Sequence, residues 1–197
     1  VELSADIFDY YADKAGEFLA DHKLDVKHGD AFLAYDPVGV ILSVQPWNFP
    51  YYQITRSAAA HVMAGNTMVL KHASNVPQCA QIMEDIFKEA GLPDGVYTNL
   101  FVSGKDIEPI VSNPKIAGVT LTGSKPAGAS IAAAAGAQVK KSTLELGGSD
   151  PFIVLEDADI DEAVKTAVAG RMWNAGQVCV SPKRVIVPAS KYEEFLS

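Results

Sequence analysis

Residues 39–50 read Gly-Val-Ile-Leu-Ser-Val-Gln-Pro-Trp-Asn-Phe-Pro, and the fold follows from this stretch. Gly39 through Val44 is a short, nearly unbroken apolar run, the pattern of a parallel strand covered on both faces rather than one with a solvent side. Asp36-Pro37 turns the chain into it, and Pro46-Trp47-Asn48-Phe49-Pro50 forms a stiff loop behind it. That loop sits at the carboxyl end of the strand, where open α/β sheets place their ligands.

Working outward, strand and helix signals alternate. A helix over 52–64 stops at Gly65-Asn66, a strand covers 67–71, and a helix over 77–90 stops at Gly91. A strand at 96–102, a short helix at 106–112, a strand at 116–121 and a small-residue helix at 124–135 follow. Strands separated by helices need crossover connections, so the class is α/β with a parallel sheet. Upstream, Leu3, Ile7, Tyr11, Phe18 and Leu19 recur at helical spacing, with Ser4 as the expected cap, and short strand-like pieces occupy 26–35. Beyond Gly147-Gly148, a strand at 152–155, a helix at 159–171 and a strand at 184–187 open a second lobe. Ser190 with Glu193 then forms a capping-box pattern.

Composition narrows the function. At 197 residues, 48% hydrophobic and 20% charged, the chain can bury a core. A net charge of −8 without a cluster of Lys and Arg argues against nucleic acid as partner. Apolar runs fall far short of the roughly 20 residues a membrane span needs. Two cysteines and no signal-peptide pattern suggest neither a disulfide framework nor secretion, so a reducing cytoplasm fits best. No metal-ligand constellation is assigned.

Several positions carry chemistry. Cys179 follows Asn174-Ala175-Gly176-Gln177-Val178, where a broken helical pattern can expose a thiol; taken alone, a cysteine is more often a small buried hydrophobe. Cys79, beside Ile82 and Met83 on an apolar helix face, keeps that plainer reading. Glu145, between Leu144 and Leu146 and ahead of Gly147-Gly148, becomes a usable base near neutral pH if burial raises its pKa, and is a plain surface acid otherwise. A rigidly held Asn48 amide can donate to an oxyanion. Lys71 ends a strand at the carboxyl edge, and Thr122-Gly123-Ser124 links a strand to a helix N-terminus, a place suited to phosphate. The three-glycine dinucleotide fingerprint is absent.

Together, Pro46-Trp47-Asn48-Phe49-Pro50, Lys71, Thr122-Gly123-Ser124, Glu145-Leu146-Gly147-Gly148 and Gly176-Gln177-Val178-Cys179 resemble the aldehyde dehydrogenase superfamily in identity, order and spacing, closest to the succinate-semialdehyde dehydrogenases. The resemblance implies a Rossmann-like parallel sheet flanked by helices, residues 1–147, followed by the truncated start of an α/β catalytic domain, residues 148–197. It implies that Cys179 attacks the aldehyde as thiolate, that the Asn48 amide and the Cys179 N–H hold the oxyanion, and that hydride leaves to a nicotinamide. Water activated by Glu145 then hydrolyses the thioester to the acid. Cofactor contacts fall on Val44, Pro46, Trp47, Lys71, Ser74, Gly123, Ser124, Leu146 and Gly147.

Relatives selective for NAD often carry glutamate three residues after the lysine; here Ser74 removes that repulsion of a 2′-phosphate, so the cofactor is NADP or NAD, with NADP favoured. Arg56 matches an arginine that grips the distal carboxylate of succinate semialdehyde, while Trp173 replaces a second such arginine and loosens that specificity. Ser181 replaces a second cysteine found in some relatives, so no neighbouring thiol switch is expected. Residues 26–36 resemble strands that pack on a partner subunit, implying a homodimer or homotetramer at full length. The expected function is NAD(P)-dependent oxidation of a small aldehyde, with this chain an incomplete and by itself inactive part. A catalytically silent nucleotide-binding or assembly module is the alternative, and a thioester-forming acyltransferase a weaker third.

Overall fold

The apolar run becomes the central strand of a five-stranded sheet. β3 (Val40–Gln45) lies between β4 (Thr67–His72) and β6 (Ile116–Gly123); β5 (Tyr97–Asn99) adds to β4, and β7 (Lys141–Leu146) to β6. The pairings β3–β4, β3–β6 and β4–β5 are parallel. From β3 the chain builds outward through β4 and β5, then crosses to the other side for β6 and β7. The strand order therefore reverses between β3 and β6, which creates a switch-point crevice at their carboxyl ends. The computed structural model describes all 197 residues, in two compact units, Val1–Glu145 and Leu146–Ser197.

Crossover helices cover both faces, as the unbroken apolarity of β3 requires. Ile41, Met68, Leu70 and Tyr97 pack with Ile54 and Ala58 of α2 (Pro50–Met63) and with Ala80, Met83 and Phe87 of α3 (Pro77–Glu89). Phe8 of α1 (Glu2–Phe18) meets Phe87 edge-on at 5.6 Å, and Phe87 stacks on Tyr97 at 4.5 Å. Leu42, one residue along the strand, is fully buried on the opposite face. There α4 (Ile107–Ser112) and α5 (Lys125–Ala137) pack on β6. Pro50 and Pro77 each stand in the first turn of their helices, where the missing N–H costs nothing.

Four boundaries differ from expectation, each for a local reason. Ser4 caps nothing: α1 starts at Glu2, and Ser4 is buried inside it. The strand pieces expected at 26–35 fall at β1 (His22–Leu24) and β2 (Ala31–Leu33), an antiparallel hairpin whose connection contains Gly29 and is spanned by a Lys23–Asp30 ion pair at 2.8 Å. β5 is only three residues long because Ser103 and Asp106 close a reciprocal capping box around a 3₁₀ turn at Gly104–Asp106, which pulls the chain out of the sheet. Ser190 forms no capping box; its hydroxyl donates to Glu156 at 2.8 Å, and α7 (Tyr192–Leu196) begins after a separate 3₁₀ turn.

The second unit is a β-α-β arrangement. β8 (Asp150–Ile153) and β9 (Pro182–Ile186) pair in parallel, joined through α6 (Ile160–Met172), which Asp159 caps by accepting from the Glu162 N–H at 3.1 Å. No helix of the chain is long and apolar enough to cross a membrane.

Candidate active site

The crevice is built from strand ends. Gln45 closes β3 as a buried side chain, its Nε2 donating to Ser43 Oγ at 2.9 Å, and its carbonyl accepts from His72 Nδ1 at 3.1 Å. A carbonyl only accepts, so Nδ1 carries the imidazole proton. Burial pushes the His72 pKa down, against the opposing pull of that hydrogen bond. This contact ties the ends of β3 and β4 together directly beneath Pro46-Trp47-Asn48. In that loop Trp47 is exposed, Pro46 and Asn48 are half-buried, and Phe49 meets Tyr52 edge-on at 6.2 Å.

Lys71 and Val44 face one cavity of about 310 Å³, with Leu121, Ile131, Gly104 and Lys105 among its walls. A cavity whose walls mix apolar residues with two lysines and the Glu108 carboxylate suits a flat, weakly polar ring joined to a sugar. Ser74 lines a separate cavity of about 310 Å³ with His72, Pro77, Asn99 and Phe101. The Asn99 amide is buried there, and neither its oxygen nor its nitrogen has a hydrogen-bond partner. Buried amides left so are costly, and a polar ligand group or water supplies the missing bonds. Gly123 ends β6, and Ser124 caps α5 by accepting from Ala127 N–H at 3.4 Å; Pro126 has no N–H and the Gly128 N–H donates to the Ser124 carbonyl at 2.9 Å, so the Lys125 N–H and the Ser124 hydroxyl are the donors that terminus offers an anion. These residues suit a dinucleotide. Gly104, Lys105, Ile131 and Asn99 escaped sequence reasoning; the only local signals were the Ser-Gly-Lys-Asp turn and the helical repeat at 127, 131 and 134.

A third, smaller cavity of about 130 Å³ has Gln53, Arg56, Thr120, Thr122, Thr143 and Glu145 on its walls. Of the two readings of Glu145, exposure follows the surface acid rather than the buried base: its side chain is 56% exposed, because β7 is an edge strand whose residues from Lys141 to Thr143 are also exposed. Instead of a hydrophobic wall it has a cation beside it: Arg56 Nη2 stands 3.4 Å from Glu145 Oε1. The Arg56 guanidinium also lies 5.9 Å from the centre of the Tyr52 ring. Leu146 ends β7 half-buried, and Gly147 follows, exposed.

Cys179 belongs to the second unit. α6 ends at Met172, and the 3₁₀ segment Trp173–Gly176 bends sharply, with Asn174, Ala175 and Gly176 all at positive φ. Left-handed backbone at a non-glycine residue costs about 1–2 kcal/mol. Two such residues, Asn174 and Ala175, ahead of a glycine that bears no such cost, therefore need outside support. Arg171 Nη1 donates to the Gly176 carbonyl at 3.3 Å, and Lys183 Nζ donates to the carbonyls of Cys179 at 2.7 Å and Ser181 at 3.0 Å. Val178 and Ser181 are buried on either side, while Cys179 is half-exposed in a turn, as the broken helical pattern suggested. Trp173 is 60% exposed. Cys79 is half-buried in α3; a hydrogen bond with its thiol, then burial, pushes the Tyr51 phenol up.

The first unit thus carries Asn48, Arg56, Lys71, Ser74, Gly123, Ser124 and Glu145, and the second Cys179 and Trp173. Val44 and Lys71 share one cavity and Arg56 and Glu145 another; Ser74 lies in a third.

The family model described as "Aldehyde dehydrogenase family" matches residues 1–197. A probable succinate-semialdehyde dehydrogenase [NADP(+)] of Synechocystis sp. is 56% identical over 186 residues, covering 94% of this chain and 41% of that protein. The succinate-semialdehyde dehydrogenase [NADP(+)] of Deinococcus radiodurans is 47% identical over the whole chain and 41% of its own length. The crystal structure of succinic semialdehyde dehydrogenase from Streptococcus pyogenes, in complex with NADP+, superposes with a TM-score of 0.95 at 51% identity, covering 98% of this chain and 42% of that one. The chain spans about two fifths of the length of these relatives. With the family model matched from end to end and the same fold in its relatives, the chain belongs to the aldehyde dehydrogenase family.

Proposed function

We propose that this chain supplies the dinucleotide site, the general base and the nucleophile of an NADP-preferring dehydrogenase that oxidises succinate semialdehyde, or a similar short aldehyde, to its acid. The observation that carries the reading is the cavity shared by Val44 and Lys71 at the carboxyl edge of neighbouring parallel strands, beside the switch point. The substrate and cofactor in this reading are those of its relatives, succinate-semialdehyde dehydrogenases [NADP(+)].

Lys71 and Ser74 hold the adenosine end, Ser124 and the α5 N-terminus the phosphates. NADP, when bound, supplies a hydride acceptor. The Cys179 sulfur adds to the aldehyde carbon, and the Asn48 amide and Cys179 N–H steady the oxygen that becomes negative. Loss of hydride leaves a thioester on Cys179. Glu145 then takes a proton from water as its oxygen bonds to the acyl carbon and the carbon–sulfur bond breaks, returning the thiolate. Lys183 and Arg171, by fixing the carbonyls around Cys179, hold the turn from which the sulfur acts. We extend the reading to a cytoplasmic homo-oligomer in which the hairpin, with exposed Leu24, Phe32 and Leu33, meets another subunit.

The test is a comparison of wild type with Cys179→Ser in a chain extended to the length of its relatives. Wild type is expected to reduce NADP with succinate semialdehyde and to trap a thioester detectable by mass; the variant is expected to bind NADP with unchanged affinity and do neither. Equal oxidation by both proteins rejects the nucleophile assignment.

A further inference from the structure

The proposed base and the proposed substrate clamp are not independent groups. Arg56 and Glu145 stand 3.4 Å apart on one small cavity, so the guanidinium expected to grip the substrate's distal carboxylate already has a carboxylate beside it. The separation is longer than the 2.7–2.9 Å of a charge-assisted hydrogen bond, and both partners reach solvent, with Arg56 30% and Glu145 56% exposed. Exposed pairs of this kind are weak and readily exchanged. Thr120, Thr122 and Thr143, residues with hydroxyl donors, line the same space.

From this geometry we infer that Arg56 acts as a latch: it restrains Glu145 until the distal carboxylate of the substrate takes the guanidinium, and the freed Glu145 then takes the proton of the hydrolytic water. The inference rests on the reading of Glu145 as base and Arg56 as clamp. It makes substrate selection a matter of thioester hydrolysis as well as of binding. A semialdehyde bearing a carboxylate releases its own base; an uncharged aldehyde forms a thioester that waits on spontaneous separation of the pair. No bond changes other than those of hydrolysis are involved.

The experiment uses the chain extended to the length of its relatives, loaded with NADP. The acyl-enzyme is formed in a single turnover from succinate semialdehyde or from butanal, and its decay is followed by quenching and intact-mass measurement. Wild type should hydrolyse the butanoyl thioester slowly, and added propionate, a free carboxylate that can occupy Arg56, should speed that step about two- to fivefold, the range of an exposed ion pair. Arg56→Gln should show the faster butanoyl decay without propionate, no response to it, and a KM for succinate semialdehyde raised about tenfold or more. Propionate without effect on wild type, or butanoyl decay in Arg56→Gln that is unchanged or slower, overturns the latch. The propionate arm needs no variant, so a poorly folded Arg56→Gln leaves the test intact. Absence of any acyl-enzyme from either aldehyde instead rejects the dehydrogenase reading itself.

Discussion

Lys183 Nζ donates to the carbonyl of Cys179 at 2.7 Å and to that of Ser181 at 3.0 Å, so one ammonium clamps the turn that presents the thiol. The preceding residues bend through three successive positive φ angles, a shape that relaxes if its outer end is released. Lys183→Met, which keeps the aliphatic stem and removes the donors, is expected to slow thioester formation about five- to tenfold, since small displacements of a reacting atom are costly. Stopped-flow measurement of the first turnover in the extended chain checks this, with NADP affinity expected to hold constant.

Selection of the dinucleotide is expected to turn on Ser74. Its cavity holds the buried, unsatisfied Asn99 amide and no acidic wall residue. Ser74→Glu places a carboxylate where a 2′-phosphate would come, and is expected to weaken NADP about 10- to 100-fold while leaving NAD within about threefold. Calorimetric titration of the wild type and variant with each dinucleotide distinguishes this from general damage, which would weaken both.

Val139 follows the cap of α5 in a left-handed conformation, φ 54°, where glycine is usual. The hydrogen bonds are those of a Schellman closure: Lys140 N–H to the Ala135 carbonyl at 2.9 Å and Val139 N–H to Gly136 at 3.0 Å. A β-branched side chain there is strained, and at 95% exposure it returns little by packing. Val139→Gly should therefore stabilise the chain by about 1 kcal/mol after the entropy glycine adds to the unfolded state is set against it. Urea unfolding would show a higher midpoint at constant slope; a lower midpoint would mean that the valine packs better than its exposure implies.

Burial holds both His61 and His72 below the ordinary histidine value of 6.5. The folded chain therefore keeps these rings neutral in a range where the unfolded chain binds protons. Stability is fully present above pH 6.5 and declines as pH falls below it. His72→Asn, which preserves a donor for the Gln45 carbonyl, is expected to flatten part of that decline. Denaturant titrations at several pH values between about 7 and 5 measure it.

How much of this was readable beforehand depends on how local the cause is. The helix at Pro77 and the strand at Thr67 fell at their expected starts, because proline, glycine and apolar periodicity act within a few residues. β5 shortened because a capping box, not propensity, closes the chain after it, and the hairpin falls where His22–Leu24 and Ala31–Leu33 pair with each other rather than where local propensity is highest.

The one-dimensional chain determined the parallel α/β class, the turn that exposes Cys179 and the removal of acid at position 74, since each depends on side-chain chemistry or backbone preference at its own place. Tertiary structure alone decided that Glu145 lies on an exposed edge strand with Arg56 for company, and that Val44 and Lys71 open onto one cavity. Burial and pairing are properties of what packs alongside, and strand order, which selects those neighbours, is fixed by the crossovers of the whole sheet.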